Sequence, residues 1–230
     1  MNTINQSTKD KEKRSAAEKA TEFVQDGMTI GLGSGSTVFF AIKKLGELVK
    51  AGLDIKCVST SSSTTKIALE SGIEIVSLDA VNEIDLTIDG ADEVDREFNG
   101  IKGGGGALLF EKIVALYSMK NIWIVDSEKL VDQLGKYPLP VEVIPFGHKR
   151  VFEIMTESGL KPVIRIKENK IFYTDSGNLI FDLHLEKIEE ARELDNKLKL
   201  INGVVETGLF LNIPDIIIVG RGSETETIIK

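Results

Sequence analysis

A single cysteine, Cys57, stands in the whole chain, so an internal disulfide framework is excluded. It lies in the apolar stretch IKCVST and reads as a small buried hydrophobe. Histidine is almost as scarce: His148 and His184 are far apart, and with one cysteine they cannot supply the ligands of a tight transition-metal site. His148 opens a helix after Pro145 and Gly147, and His184 closes a β segment, which makes both surface or structural residues. The one tryptophan, Trp123 in NIWIVD, reads as core packing. No apolar run approaches the ~18 residues that cross a bilayer. The stretch MNTINQSTKDKEKRS is polar and lacks an apolar signal core, so no membrane partner and a cytoplasmic location are expected. Basic residues are outnumbered, 28 Lys and Arg against 36 Asp and Glu, for a formal charge of −8. General nucleic-acid binding is therefore not expected, because a phosphate backbone demands clustered cations. One small phosphorylated ligand needs only a local basic spot.

What the chain does have is concentrated in DGADEVDREFNGIKGGGGALLFEK, residues 89–112. Asp89 closes the apolar run 84–88, so its side chain emerges at the carboxyl end of a strand, where open α/β sheets place their ligands. Asp92, Glu93 and Asp95 follow. Four glycines, Gly103, Gly104, Gly105 and Gly106, add unfolded-state entropy that packing does not explain, which points to close approach of the backbone to something. Residues 107–118 carry apolar side chains at helical spacing, placing Glu111 in the second turn of a helix that starts beside the glycines. A solvated acidic loop is the bland alternative, but these carboxylates lie between a buried strand pattern and a glycine turn.

A second signal is Gly31-Leu32-Gly33-Ser34-Gly35-Ser36-Thr37, between a strand near 28 and a helical pattern over 38–50. Strand, glycine-rich turn and helix together suit a phosphate, with Ser34, Ser36 and Thr37 adding hydroxyl donors. A dinucleotide fingerprint would need a third glycine near Thr37 and an acidic residue after the next strand. That strand, 55–60, ends instead in the hydroxyl cluster 59–65, which serves either to cap a helix over 65–71 or to hold ligand oxygens.

Along the chain, a helix over 9–24 is followed by strands near 28, 55, 74, 84 and 121 alternating with helices. This is a doubly wound, parallel, Rossmann-like α/β domain. From Leu139 the order becomes strand to 145, helix 148–158, strands near 162 and 171, a turn at 175–178, strand to 184, helix 186–200 and strand from 204. That is the split β-α-β, ferredoxin-like order of a smaller α+β domain. The last strand, 215–220, should return to the first sheet. The expected domains are 1–132 plus 208–230, Rossmann-like and catalytic, and 133–207, the inserted α+β domain.

Taken together, GSGST, DGADE, KGGGGALLFEK, LGKYPLPVEVIP and GVVETGLF, in this order, resemble the ribose-5-phosphate isomerases of the A type. The likeness runs from about Lys13 to the end of the chain. It implies that Glu111 is the proton-transferring base, that Asp89, Asp92 and Lys102 complete the catalytic set, and that Lys13, Ser34, Gly35, Ser36, Thr37, Gly90, Ala91, Gly103, Gly104, Gly105 and Lys129 surround the substrate. Gly106 stands where the family has alanine, and the first twelve residues form an extra polar leader. The resemblance further implies a sugar phosphate as ligand, no cofactor, no metal, and assembly as a homodimer or dimer of dimers. The chemistry is self-consistent. Moving a proton between neighbouring carbons of an aldose or ketose phosphate needs one mobile base, a role for Glu111 if burial raises its pKa, and donors for an enediolate oxygen. A non-enzymatic sugar-phosphate sensor is the main alternative, and a nicotinamide-dependent dehydrogenase the third.

Overall fold

The structure is a computed structural model and describes residues 2–230. In chain order its elements are α1 (Asn2–Thr21), β1 (Thr29–Leu32), α2 (Ser36–Lys50), β2 (Lys56–Ser59), α3 (Ser62–Glu70), β3 (Glu74–Ile75), β4 (Leu86–Asp89), β5 (Glu93–Val94), β6 (Asn99–Ile101), α4 (Leu108–Leu116) and β7 (Asn121–Asp126). There follow β8 (Leu139–Val143), α5 (His148–Glu157), β9 (Pro162–Ile164), β10 (Ile166–Lys167), β11 (Lys170–Ile171), β12 (Leu179–Leu183), α6 (Ala191–Lys199), β13 (Val204–Thr207), β14 (Leu209–Leu211), β15 (Ile216–Arg221) and β16 (Glu224–Ile229). The chain divides into two compact units. One comprises Met1–Ala91, Phe110–Leu130 and Ile213–Lys230, the other Asp92–Leu109 and Val131–Asn212.

The first unit is built on a seven-stranded sheet ordered β16-β15-β7-β4-β1-β2-β3. Every neighbouring pair is parallel except β15 with β16. The chain winds from β1 outward to β2 and β3, then resumes on the other side with β4, β7 and β15, so the direction of winding reverses between β1 and β4. Every residue of β4 and β7 is buried, which is why they read as nearly continuous apolar runs. Ile30, Leu32, Ile88, Ile122 and Ile124 meet Val38, Ala41, Ile42 and Leu45 of α2 and Ala16, Ala17 and Ala20 of α1 in one core. The alanine stripe lets α1 lie close to the sheet. A Cβ added at Gly220 would come within 2.0 Å of the Glu12 carbonyl oxygen.

The second unit is a four-stranded sheet ordered β13-β8-β12-β9, all antiparallel, with α5 and α6 between its strands in sequence. This is the ferredoxin-like order expected from the sequence. Leu139, Val141 and Val143 alternate onto the face that meets Val151 and Met155 of α5 and Leu198 of α6. A separate three-stranded sheet, β14-β6-β5, belongs to the same unit.

Several expectations change in detail. Helix α1 starts at Asn2, so most of the leader is helical, and it ends at Thr21 rather than near 24. Helix α6 begins at Ala191, not near 186, because Glu186 has φ +64°, outside the helical region. Residues 92–109, expected with the first domain, fall in the second unit, and the 215–220 strand is followed by a further one, β16.

On β8 the alternation turns Glu142 away from the helices, and it is 1% exposed. Its Oε1 accepts from Thr174 Oγ1 and Asn178 Nδ2, both at 2.9 Å, while Oε2 has no hydrogen-bond partner among the described residues. Burial first, and then neighbouring Glu206, push its pKa above the ordinary 4.5 against those two hydrogen bonds. A carboxyl whose pKa is raised by folding contributes stability that is present below the ordinary value and lost as pH rises through the folded one. Glu142→Gln keeps both hydrogen bonds and removes the charge. It should raise the Tm by about 2–4 °C at pH 8, with the gain shrinking towards pH 4. A lower Tm at pH 8 would refute this.

Candidate active site

The reversal between β1 and β4 places the ends of those strands side by side. The Gly33 N–H donates to the Ile88 carbonyl at 3.0 Å, extending the ladder past the end of β1. The Asp89 carboxylate, 1% exposed, then turns across the strand end: Oδ1 accepts from the Ser34 N–H at 3.3 Å and the Gly90 N–H at 2.7 Å. Gly33 is required here by space, since a Cβ would lie 1.8 Å from Asp89 Oδ1. The Ser34 hydroxyl lies 2.9 Å from Thr60 Oγ1, 2.8 Å from Ser61 Oγ and 3.1 Å from Thr64 Oγ1. Ser61 also caps α3 by accepting the Thr64 N–H. The hydroxyl cluster thus both caps α3 and fixes the turn.

Helix α2 begins at Ser36 after Gly35, whose φ of +112° an ordinary residue rarely adopts and which has no side chain to cap the helix. Lys13 Nζ reaches Ser36 Oγ at 3.0 Å. Its place on α1 is fixed by the preceding residue: Glu12 accepts from the Ser127 N–H and hydroxyl at 3.0 and 2.9 Å and from the Gly222 N–H at 3.2 Å. Thr37, by contrast, is buried under the helix start. Lys129, beyond β7, donates to the Ala91 carbonyl at 2.6 Å. Glu111 is 4% exposed and lies in the first turn of α4, one turn earlier than expected. That helix is seated on the sheet through Val114, towards Gly31, where a Cβ would meet Val114 Cγ1 at 2.8 Å.

The second unit carries Asp92, Lys102 and the glycines. Lys102 is 2% exposed; its N–H donates to the Gly208 carbonyl at 2.9 Å, and its ammonium lies 5.3 Å from the Phe210 ring centre. The Gly104 N–H donates to Asp92 Oδ2 at 2.7 Å. A Cβ at Gly104 would meet Tyr137 Oη at 2.4 Å, one at Gly103 would meet Leu108, and one at Gly106 would meet the Phe172 ring. A Cβ at Gly105 would meet no atom within 4 Å beyond its chain neighbours among the described residues. Close packing therefore accounts for three of the four glycines. Burial first, then the charge of Asp92, pushes the Tyr137 phenol up to about 12, so it stays a neutral O–H donor. Tyr137, Arg165 and Glu12 are structural partners of the predicted set that sequence reasoning did not single out. Tyr137 lies within LGKYPLPVEVIP and Glu12 within the polar stretch 1–15, whereas Arg165 lies in no stretch read there.

The first unit thus groups Ser34 with Asp89 and Gly90, Lys13 with Ser36, and Lys129 with Ala91. The second groups Asp92 with Gly104. Among the described residues no set of three or more His, Cys, Asp or Glu is arranged to hold a metal ion. No acidic residue ends β2, where a dinucleotide-binding fold would present one.

A doubly wound sheet with a buried carboxylate at its switch point, combined with a ferredoxin-like unit, defines a two-unit α/β enzyme. The family described as ribose 5-phosphate isomerase A (phosphoriboisomerase A) matches residues 56–224. The chain belongs to this family. A ribose-5-phosphate isomerase A of Listeria monocytogenes serotype 4b (strain F2365) is 49% identical over 220 residues, 95% of this chain and 98% of that protein. That of Bifidobacterium adolescentis is 53% identical over 210 residues, 90% of each. Among solved structures, a D-ribose-5-phosphate isomerase in complex with phospho-erythronic acid matches with a TM-score of 0.91 at 42% identity, covering 95% of this chain and 97% of that one. The isomerase of Plasmodium falciparum also gives 0.91, at 37% identity over 96% and 99%. The sensor alternative finds no support among these relatives.

Proposed function

We propose that this chain interconverts ribose 5-phosphate and ribulose 5-phosphate. The observation that carries the reading is Glu111, a buried carboxylate in the first turn of α4, within a chain half identical to isomerases over nearly its whole length. Glu111 takes the C2 proton of the open-chain aldose, leaving an enediolate, and returns a proton to C1 to give the ketose. Lys102 and the N–H groups of the glycine loop stabilise the enediolate oxygen. Asp89 and Asp92 shuttle hydroxyl protons, including the one that moves when the furanose ring opens. The start of α2, with Ser34, Gly35, Ser36, Thr37 and Lys13, receives the phosphate, which its uncapped N–H groups and positive dipole end favour. Lys129, Gly90 and Ala91 line the substrate beside Asp89.

The scheme uses carboxylates, lysines and backbone donors. Purified protein given ribose 5-phosphate in excess EDTA, with no nucleotide, should therefore form ketose. Failure to turn over would sink the reading, and turnover restored only by a divalent ion would overturn the metal-free scheme. Lys129→Ala and Lys13→Ala should each raise KM about tenfold with kcat within about threefold, because a contact to a part of the substrate that does not react is equally strong in ground and transition states. The reverse pattern in both would remove them from substrate binding. Arg14, next to Lys13, can partly replace it. A cytoplasmic homodimer or dimer of dimers fits the same reading, and light scattering on the purified protein measures its mass. No helix among the described residues is long and apolar enough to cross a membrane.

A further inference from the structure

Within the second unit, one arginine holds the glycine loop from behind. Arg165 lies just after β9, and its Nε and Nη2 grip both oxygens of Asp182 on β12, at 2.9 and 2.5 Å. Both side chains are largely buried, 14% and 19% exposed. A guanidinium docked on a carboxylate by two parallel bonds has a fixed plane, so the direction of its remaining nitrogen is dictated. That nitrogen, Nη1, donates to the carbonyl of Gly103 at 2.8 Å and of Gly104 at 3.1 Å. The Gly103 carbonyl also accepts the Gly106 N–H at 2.9 Å, closing the turn, and the Gly104 N–H goes to Asp92. Phe172, whose ring centre is 5.9 Å from the guanidinium carbon, fills the space left by the missing side chain of Gly106.

The consequence follows from peptide geometry. In a trans peptide the N–H points opposite to the C=O, and no cis peptide occurs among the described residues. With the Gly103 and Gly104 carbonyls held on Arg165, the N–H groups of Gly104 and Gly105 point away from it. A cation on a carbonyl oxygen also polarises the N–H of the same peptide unit and strengthens it as a donor. Resting on the isomerase reading, we propose that Arg165, oriented by Asp182, is a positioning residue for the reaction. It aims and polarises the glycine-loop N–H groups, so that Gly104 holds Asp92 in place and Gly105 donates to the enediolate oxygen. Arg165 itself touches neither substrate nor reacting atoms. This role explains a charge pair so far inside a unit whose surface charges are otherwise plentiful: an aimed donor helps only while the peptide behind it is immobile.

Two variants test it. Arg165→Lys keeps the charge but cannot grip Asp182 with two bonds and still reach two carbonyls. It should lower kcat about tenfold with KM within about threefold. Arg165→Met/Asp182→Leu removes both charges together, which avoids leaving a buried carboxylate unpaired, and should lower kcat about 10- to 100-fold in folded protein. A merely structural pair would lower the Tm in these variants and leave the kcat of the folded fraction unchanged. Wild-type kcat in Arg165→Lys, or a rise in KM alone, overturns the proposal. Amide hydrogen exchange of the peptide covering 103–106 supplies a readout independent of turnover: protection should fall in both variants, and unchanged protection also overturns the proposal. Wild-type protein assayed alongside separates the two ideas, since absence of ketose there indicts the isomerase reading, not Arg165.

Discussion

Glu111→Gln should lose on the order of 10² to 10⁴ or more in kcat, because the amide keeps the shape of the side chain but has no basic lone pair to accept the carbon-bound proton. Binding should survive: affinity for a non-reacting sugar phosphate should stay within a few fold, and the Tm should hold. Solvent exchange gives an independent measure. A carboxylate that trades its borrowed proton with water labels the carbon next to the carbonyl in D2O, so wild type should incorporate deuterium and the variant should not. Near-normal turnover in Glu111→Gln would move the base elsewhere, with Asp89 and Asp92 next in line. A Glu111 with a purely structural role would instead lower the Tm and leave activity largely intact.

The second large effect belongs to Gly33→Ala. The added Cβ would sit 1.8 Å from Oδ1, 2.0 Å from Cγ and 2.6 Å from Cβ of Asp89, so the carboxylate has to leave its place. It would then give up the Ser34 and Gly90 N–H groups that hold it. A displacement of about 1 Å in a reacting group costs on the order of 10² in rate, so kcat should fall by at least that much. The Tm should fall too, because a buried carboxylate loses its donors. Gly90→Ala is the contrast: the nearest atoms to its Cβ lie at 3.9 Å, and the Tm should change by less than about 2 °C. Full activity in Gly33→Ala would mean that the position of Asp89 is immaterial to catalysis.

How much of this could be read in advance depends on how local the signal was. The turn between β1 and α2 was legible because strand, glycines, hydroxyls and helix follow one another within a dozen residues. Asp89 was legible because it ends an apolar strand. The β5 and β6 strands were not, because they are only two and three residues long and the span between them, Asp95 to Phe98, is mostly charged. Nor was β16: Glu224 and Glu226 interrupt its apolar pattern, as suits a strand at a sheet edge that must not recruit another. The bond from Arg165 to Gly103 joins residues 62 apart and leaves no trace in spacing. The glycines signal a close approach of the backbone but not what is approached, and at three of them the neighbours are Leu108, Tyr137 and Phe172, distant enough in sequence or unremarkable enough in type to leave no motif.

The strand order of the large sheet also bears on how the chain is made. β7 lies between β4 and β15, so Ile122 has one neighbour, Ile88, that precedes it closely and another, Ile216, that leaves the ribosome only after the entire ferredoxin-like unit. Throughout that interval of synthesis the apolar edge of β7 has no native partner on one side, and it offers the kind of open strand that nascent chains use to stick to one another. The ferredoxin-like sheet, whose four strands all lie between Leu139 and Thr207, can close first. Vectorial synthesis therefore favours the order in which the later-starting sheet finishes earlier, and the yield of soluble protein should depend on how quickly β15 arrives to cover β7.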